Sequence, residues 1–103
     1  MQDAIVRQLG EQYAGALRDY LADPDEAVLQ RAYELGRRAI DGGLGLLELV
    51  AMHHEALESV LAEAMGAQRG GAAVEAAGRF LAESVAPFEM THRGFQEAVT
   101  ALR

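Results

Sequence analysis

The chain has no cysteine, no tryptophan and no lysine; all nine of its basic residues are arginine. Without cysteine, neither disulfides nor zinc fingers can hold it together, which fits a reducing compartment. Only two prolines and few β-branched residues are present, so there is little from which to build a sheet. The first residues, MQDAIVRQLGEQ, lack the apolar centre of a signal peptide. The longest uncharged stretch, around Gly42–Leu47, falls far short of the ~20 residues that cross a bilayer. A cytoplasmic location and no contact with membrane are expected. The net charge of −7 argues against non-specific binding to nucleic acid. An arginine-only basic set beside abundant alanine and glycine looks like the residue usage of a GC-rich genome, so the arginines are not read as phosphate binders.

What is present is apolar residue at helical spacing. Half of the 103 residues are hydrophobic, enough for one core without covalent staples. Ile5, Val6, Leu9, Tyr13, Ala16 and Tyr20 place a first helix at about 2–22. Asp23-Pro24-Asp25-Glu26 is a start signal, with Asp23 as cap, Pro24 in the first turn and Glu26 as capping-box acid. The second helix then spans about 24–41 and stops at Gly42-Gly43. Its two adjacent stripes, Val28–Ala32–Leu35–Ala39 and Leu29–Tyr33–Gly36–Ile40, predict contact with two neighbours. Gly36 suggests a close helix crossing; Gly10 and Gly15 are expected to weaken the first helix locally, by about 1 kcal/mol each if exposed, or alternatively to let another helix come close. A third helix at about 45–65 carries the seam Leu46, Val50, His53, Leu57, Val60, and the glycines of Gly66–Gly71 make a turn. Short loops predict an all-α, antiparallel four-helix bundle in which successive helices are neighbours.

The fourth helix, about 72–102, is the longest. Leu81, Val85, Phe88, His92, Phe95, Val99 and Leu102 alternate by four and three. At about 32 residues it would be ~48 Å long, against ~27–32 Å for the others. Its last turns, from Arg93 on, should therefore overhang the bundle, leaving Phe95, Val99 and Leu102 in need of a partner. An interior Pro87 removes a hydrogen bond and is expected to kink the helix; the competing picture folds the end back onto the bundle. Gly94 beside Phe95 suggests close packing. The pattern is still in phase at Arg103, as expected of a domain excised from something longer.

No motif names a reaction. There is no nucleophile elbow and no glycine-rich phosphate loop. Adjacent His53 and His54 point about 100° apart on a helix and cannot easily share an ion. His54 and Glu58 make only two ligands, so neither metal nor cofactor is implied. Histidine phosphotransfer needs an exposed histidine and usually a nearby lysine, which is absent. His53 reads instead as a seam histidine hydrogen-bonded to a neighbouring helix. Tyr33 and Arg37, four apart, set an aromatic ring beside a guanidinium, a pairing common at protein interfaces.

Ala32-Tyr33-Glu34-Leu35-Gly36-Arg37, GLGLLEL, His53-His54-Glu55-Ala56-Leu57, Pro87-Phe88-Glu89-Met90 and Arg93-Gly94-Phe95 together resemble the N-terminal domain of RsbU-type phosphoserine phosphatases. The resemblance runs from about Leu9 to Leu102. It implies a dimeric, non-catalytic helical domain related to the helical domain of the clock protein KaiA. It also implies a switch-kinase partner, RsbT, whose binding activates a downstream phosphatase in the general stress response. Tyr33, Arg37 and His54, which combine aromatic, cationic and exposed-helix character, are expected to bind the partner, and Phe88, Phe95, Val99 and Leu102 of the long fourth helix to serve dimerisation or downstream coupling. A small-molecule sensor is the alternative, with phosphotransfer behind it.

Overall fold

The computed structural model describes residues 2–63 and 71–103, and four helices take up nearly all of them: α1 (Gln2–Ala22), α2 (Glu26–Asp41), α3 (Leu46–Glu63) and α4 (Gly71–Leu102). No strand occurs among the described residues. Of the turn expected at Gly66–Gly71 only Gly71 is described, and it begins α4; the rest of that turn and the end assigned to the third helix, Ala64 and Met65, lie outside the described residues.

The caps explain the boundaries. α2 begins two residues later than expected. Asp25, not Asp23, is the N-cap, in extended conformation, with its side chain accepting from the Ala27 N–H at 2.8 Å. Pro24 therefore stays outside the helix, and Glu26 falls in its first position, too early for a capping box. α2 ends in a Schellman motif: Gly43 has φ 85°, its N–H bonds the Ile40 carbonyl, and the Leu44 N–H reaches back to Ala39. The closure drives Leu44 into the core, a loop position that helical spacing does not reveal. Gly45 opens α3, its N–H held by the Glu48 carboxylate at 2.7 Å, the backbone half of a capping box.

The helices alternate in direction as expected. Arg31 of α2 pairs with Asp19 of α1 at 2.9 Å and Arg38 bonds Gln12, an antiparallel register. Arg18 of α1 pairs with Glu63 of α3, and Tyr13 with His53, a parallel one. The neighbour order differs from the expected circuit. Around the bundle it is α1–α2–α4–α3: α4 lies chiefly on α2 and α3 on α1, while α2 and α3, joined by the glycine loop, scarcely touch.

The core centres on Tyr13, Leu17, Leu49 and Phe80, all fully buried. Tyr13 and Phe80 meet edge to face at 5.1 Å, and Tyr20 packs on the other side of Phe80. The buried stripe of α4 is Ala76, Ala77, Phe80, Ser84 and Pro87, one step round from the expected seam. Leu81, Val85 and Phe88 are half-buried, and His92 is exposed. α3 is offset in the same way: Leu49, Met52, His53, Ala56 and Val60 are inside, while Leu46 and Val50 face out.

α2 meets α4 most closely at Gly36. A Cβ there would collide with the Ser84 carbonyl oxygen and stand 2.9 Å from its carbon and 3.2 Å from Pro87 Cγ. Gly36 is thus the close crossing the sequence suggests. The other glycines are not: nothing lies within 4 Å of a Cβ at Gly15 or Gly94, and Gly10 would meet only Met52 Cγ at 3.9 Å.

α4 runs without a break through Pro87. The Thr91 hydroxyl donates to the Pro87 carbonyl at 2.9 Å. Beyond it, every residue from Arg93 to Ala98 is exposed, so the end does not fold back. The 55 Å long axis of the molecule, against ~24 Å for α2 at 1.5 Å per residue, reflects this overhang.

Gly36→Ala should cost about 3 kcal/mol or more, because backbone rather than a yielding side chain blocks the methyl. Gly15→Ala should instead stabilise by about 0.5–1 kcal/mol. Urea unfolding followed by circular dichroism measures both.

Candidate functional site

Two groups of residues stand apart from ordinary packing: a buried polar contact among three helices, and a surface cavity where α2 meets α4.

In the first, the Tyr13 hydroxyl of α1 lies 2.7 Å from His53 Nδ1 of α3 and 3.3 Å from Ser84 Oγ of α4. Ser84 Oγ donates to the Leu81 carbonyl at 2.8 Å. Tyr13 then either donates to Nδ1 or donates to Ser84 Oγ and accepts from Nδ1–H, and a neutral His53 serves in both arrangements. Burial favours that state. It lowers the His53 pKa from its usual 6.5, with the neighbouring His54 adding to the effect. Burial also pushes Tyr13 up to about 12, the Ser84 hydrogen bond acting the other way. The expectation that His53 bonds a neighbouring helix is met, and its partner is Tyr13. Among the described residues no buried side-chain nitrogen or oxygen lacks a partner. The contact holds α1, α3 and α4 in one register.

The second group is a 280 Å³ cavity on the α2/α4 edge, lined by Tyr33, Arg37, Ile40, Asp41, Pro87 and Met90. Tyr33 is half-buried and its hydroxyl donates to Met90 Sδ at 3.4 Å; Arg37 is exposed. Helical spacing brings Tyr33 and Arg37 to one face, and the Gly36 crossing brings α4 against it. Met90 and Thr91 complete this cavity, and neither was a sequence candidate. His54 does not join it. It projects from α3, which barely touches α2, and stands 3.7 Å from Glu58 Oε2. The expected trio therefore divides into a pair on one edge and a lone histidine elsewhere. No group of three or more metal-ligating side chains forms among the described residues.

The overhang leaves from beside this cavity. Phe88 still packs on the core, whereas Phe95 is 67% and Leu102 88% exposed and Val99 is half-buried along α4 itself. Glu89 and Arg93 form an i,i+4 ion pair at 2.8 Å where the overhang begins.

A family model described as "Phosphoserine phosphatase RsbU, N-terminal domain" matches residues 11–91. The chain belongs to this family. No curated protein and no solved structure matched the chain. The RsbU N-terminal domain is the regulatory, non-catalytic part of a phosphatase, and a regulatory role follows for these residues. The match takes in the polar contact, the α2/α4 cavity and α4 as far as Thr91, and stops where the overhang begins. No helix among the described residues is long and apolar enough to cross a membrane.

The depressed His53 pKa fixes a sign. The neutral folded form contributes stability that is complete above the unfolded value of 6.5 and is lost as the pH falls through the folded value. The urea midpoint should therefore drop on acidification below pH 6.5, and drop less in His53→Gln. Tyr13→Phe, which leaves Nδ1 unpaired, should cost about 1–3 kcal/mol at pH 7.5.

Proposed function

We propose that residues 1–103 form one cytoplasmic, non-catalytic regulatory domain that receives a partner protein on the α2/α4 edge and passes the event on through α4. The partner class is the RsbT-like switch kinase implied by the family, and the setting is the general stress response. The domain works as a homodimer, with Phe88, Phe95, Val99 and Leu102 serving dimerisation or downstream coupling.

The observation that carries this reading is the Tyr33–Met90 contact. Tyr33 and Arg37 have the chemistry of interface anchors: a rigid aromatic ring and a planar cation. They share a cavity with Met90 and Thr91, the last turn of α4 before the overhang. A partner that engages Tyr33 therefore changes what α4 packs against at the point where it leaves the bundle. His54 is kept as a peripheral contact on α3.

A second reading, a small-molecule sensor, is favoured by a 500 Å³ cavity lined among the described residues by Leu21, Pro24, Val60, Leu61 and Ala76. Native mass spectrometry of the freshly purified domain should then show a bound molecule, whereas the first reading expects a bare dimer.

Titration with the cognate switch kinase should show Tyr33→Ala and Arg37→Ala each weakening binding by about tenfold or more, equivalent to about 1.4 kcal/mol. Unchanged affinity would remove that residue from the interface. Phe95→Glu combined with Leu102→Glu should convert a dimer to a monomer in sedimentation velocity without loss of helicity; a persistent dimer would place the interface elsewhere.

A further inference from the structure

The edge opposite the α2/α4 cavity carries a second groove. α1 and α3 run parallel there and leave a 510 Å³ channel between them. Its floor is apolar and, apart from Val6 and Met52, small: Val6, Gly10 and Ala14 from α1, and Ala51, Met52 and Ala56 from α3. Its walls carry Glu11, Glu48 and Glu55 against one arginine, Arg7. Glu11 and Glu55 are exposed and take part in no ion pair among the described residues. Glu48 is partly engaged in capping Gly45.

We infer that this groove docks a helix of a partner protein, apolar along one stripe and basic on both flanks. Three features select that occupant. Small floor residues allow a helix axis to approach to ~8–10 Å, which larger side chains would prevent. The groove runs from Val6 to Ala14 on one side and Glu48 to Ser59 on the other, ~12–16 Å, or about two to three turns of a docked helix. The acidic walls repel a copy of this chain, whose net charge is −7, and attract arginine or lysine at positions flanking an apolar stripe. The inference rests on the reading of the domain as a protein-binding module and gives it a second face, on the edge away from Tyr33 and Arg37.

The probe is a helix-forming peptide of about sixteen residues, leucine and alanine on one face and arginine on the flanks, which exceeds the ~12–15 residues an isolated helix needs. Its control carries glutamate in place of arginine. In 15N-labelled protein, the arginine peptide should shift the amides of Gly10, Ala14, Ala51 and Ala56, with affinity that falls as salt is raised. The glutamate peptide should not bind. Glu11→Arg with Glu55→Arg, both at exposed positions, should weaken the arginine peptide by about tenfold. Ala51→Trp should block it sterically, while Tyr33→Ala and Arg37→Ala leave it unchanged. The inference is overturned if both peptides bind alike, if the shifts map to the Tyr33–Met90 cavity or the α4 overhang, or if the groove stays silent at millimolar peptide. Groove amides that respond to dilution of the protein alone would name a second copy as occupant and overturn it equally. Loss of switch-kinase binding in Tyr33→Ala with peptide binding intact separates failure of one face from failure of the other.

Discussion

Ser84 is where two constraints meet. Its carbonyl lies against the bare Cα of Gly36, the closest approach of α2 to α4, and its hydroxyl stands beside Tyr13, which holds His53. A single residue of α4 thus touches α2 by backbone, α1 by side chain and α3 through Tyr13. Large apolar side chains around it could tolerate small slips of one helix along another. A backbone-to-backbone contact and a buried hydrogen bond cannot, because the first becomes a clash and the second an unpaired polar group. The register of α4, and so the height at which it leaves the bundle, follows from this crossing.

The matched residues end at Thr91, just past the contact between Tyr33 and Met90. The first part of α4 is therefore a fixed wall of the bundle, and the remainder a projecting rod. Between them lies Pro87, whose missing N–H deprives the Glu83 carbonyl of its usual helical donor. Thr91 donates its hydroxyl to the Pro87 carbonyl in the same turn. The helix is thinnest in hydrogen bonds beside the candidate partner surface.

Much of this fold is legible in the sequence, and the misses share a cause. Helix number, approximate spans, the overhang, the wide apolar face of α2, the role of Gly36 and the partnered state of His53 all follow from spacing and from the cost of leaving a buried imidazole unbonded. The seams of α3 and α4 do not. There the buried stripe sets Ala56, Ala76, Ala77, Ser84 and Pro87, residues that a hydrophobic pattern passes over, beside larger ones such as Leu49, Val60 and Phe80. The larger Val50, Leu81 and Val85 on the shoulders look more like core. Small residues go inside because the helices are close, and closeness is a tertiary fact. The neighbour order was hidden for a similar reason: a four-residue glycine loop is as compatible with opposite corners as with adjacent ones. Gly94 and Gly15 show the limit of reading a helical glycine as a contact. Of the candidate site, Tyr33 and Arg37 stand together because they share one helix face, whereas His54 required knowledge of which helices are neighbours.

The projecting end of α4 has a consequence for its own stability. A free peptide of ten or eleven residues would scarcely be helical in water, since nucleation is costly and isolated helices need about 12–15 residues. Here the nucleus is supplied by the bundle, and only propagation remains, at little net gain per residue. Covering Phe95, Val99 and Leu102 would therefore do more than bury apolar surface. It would also add to the order of the projecting rod.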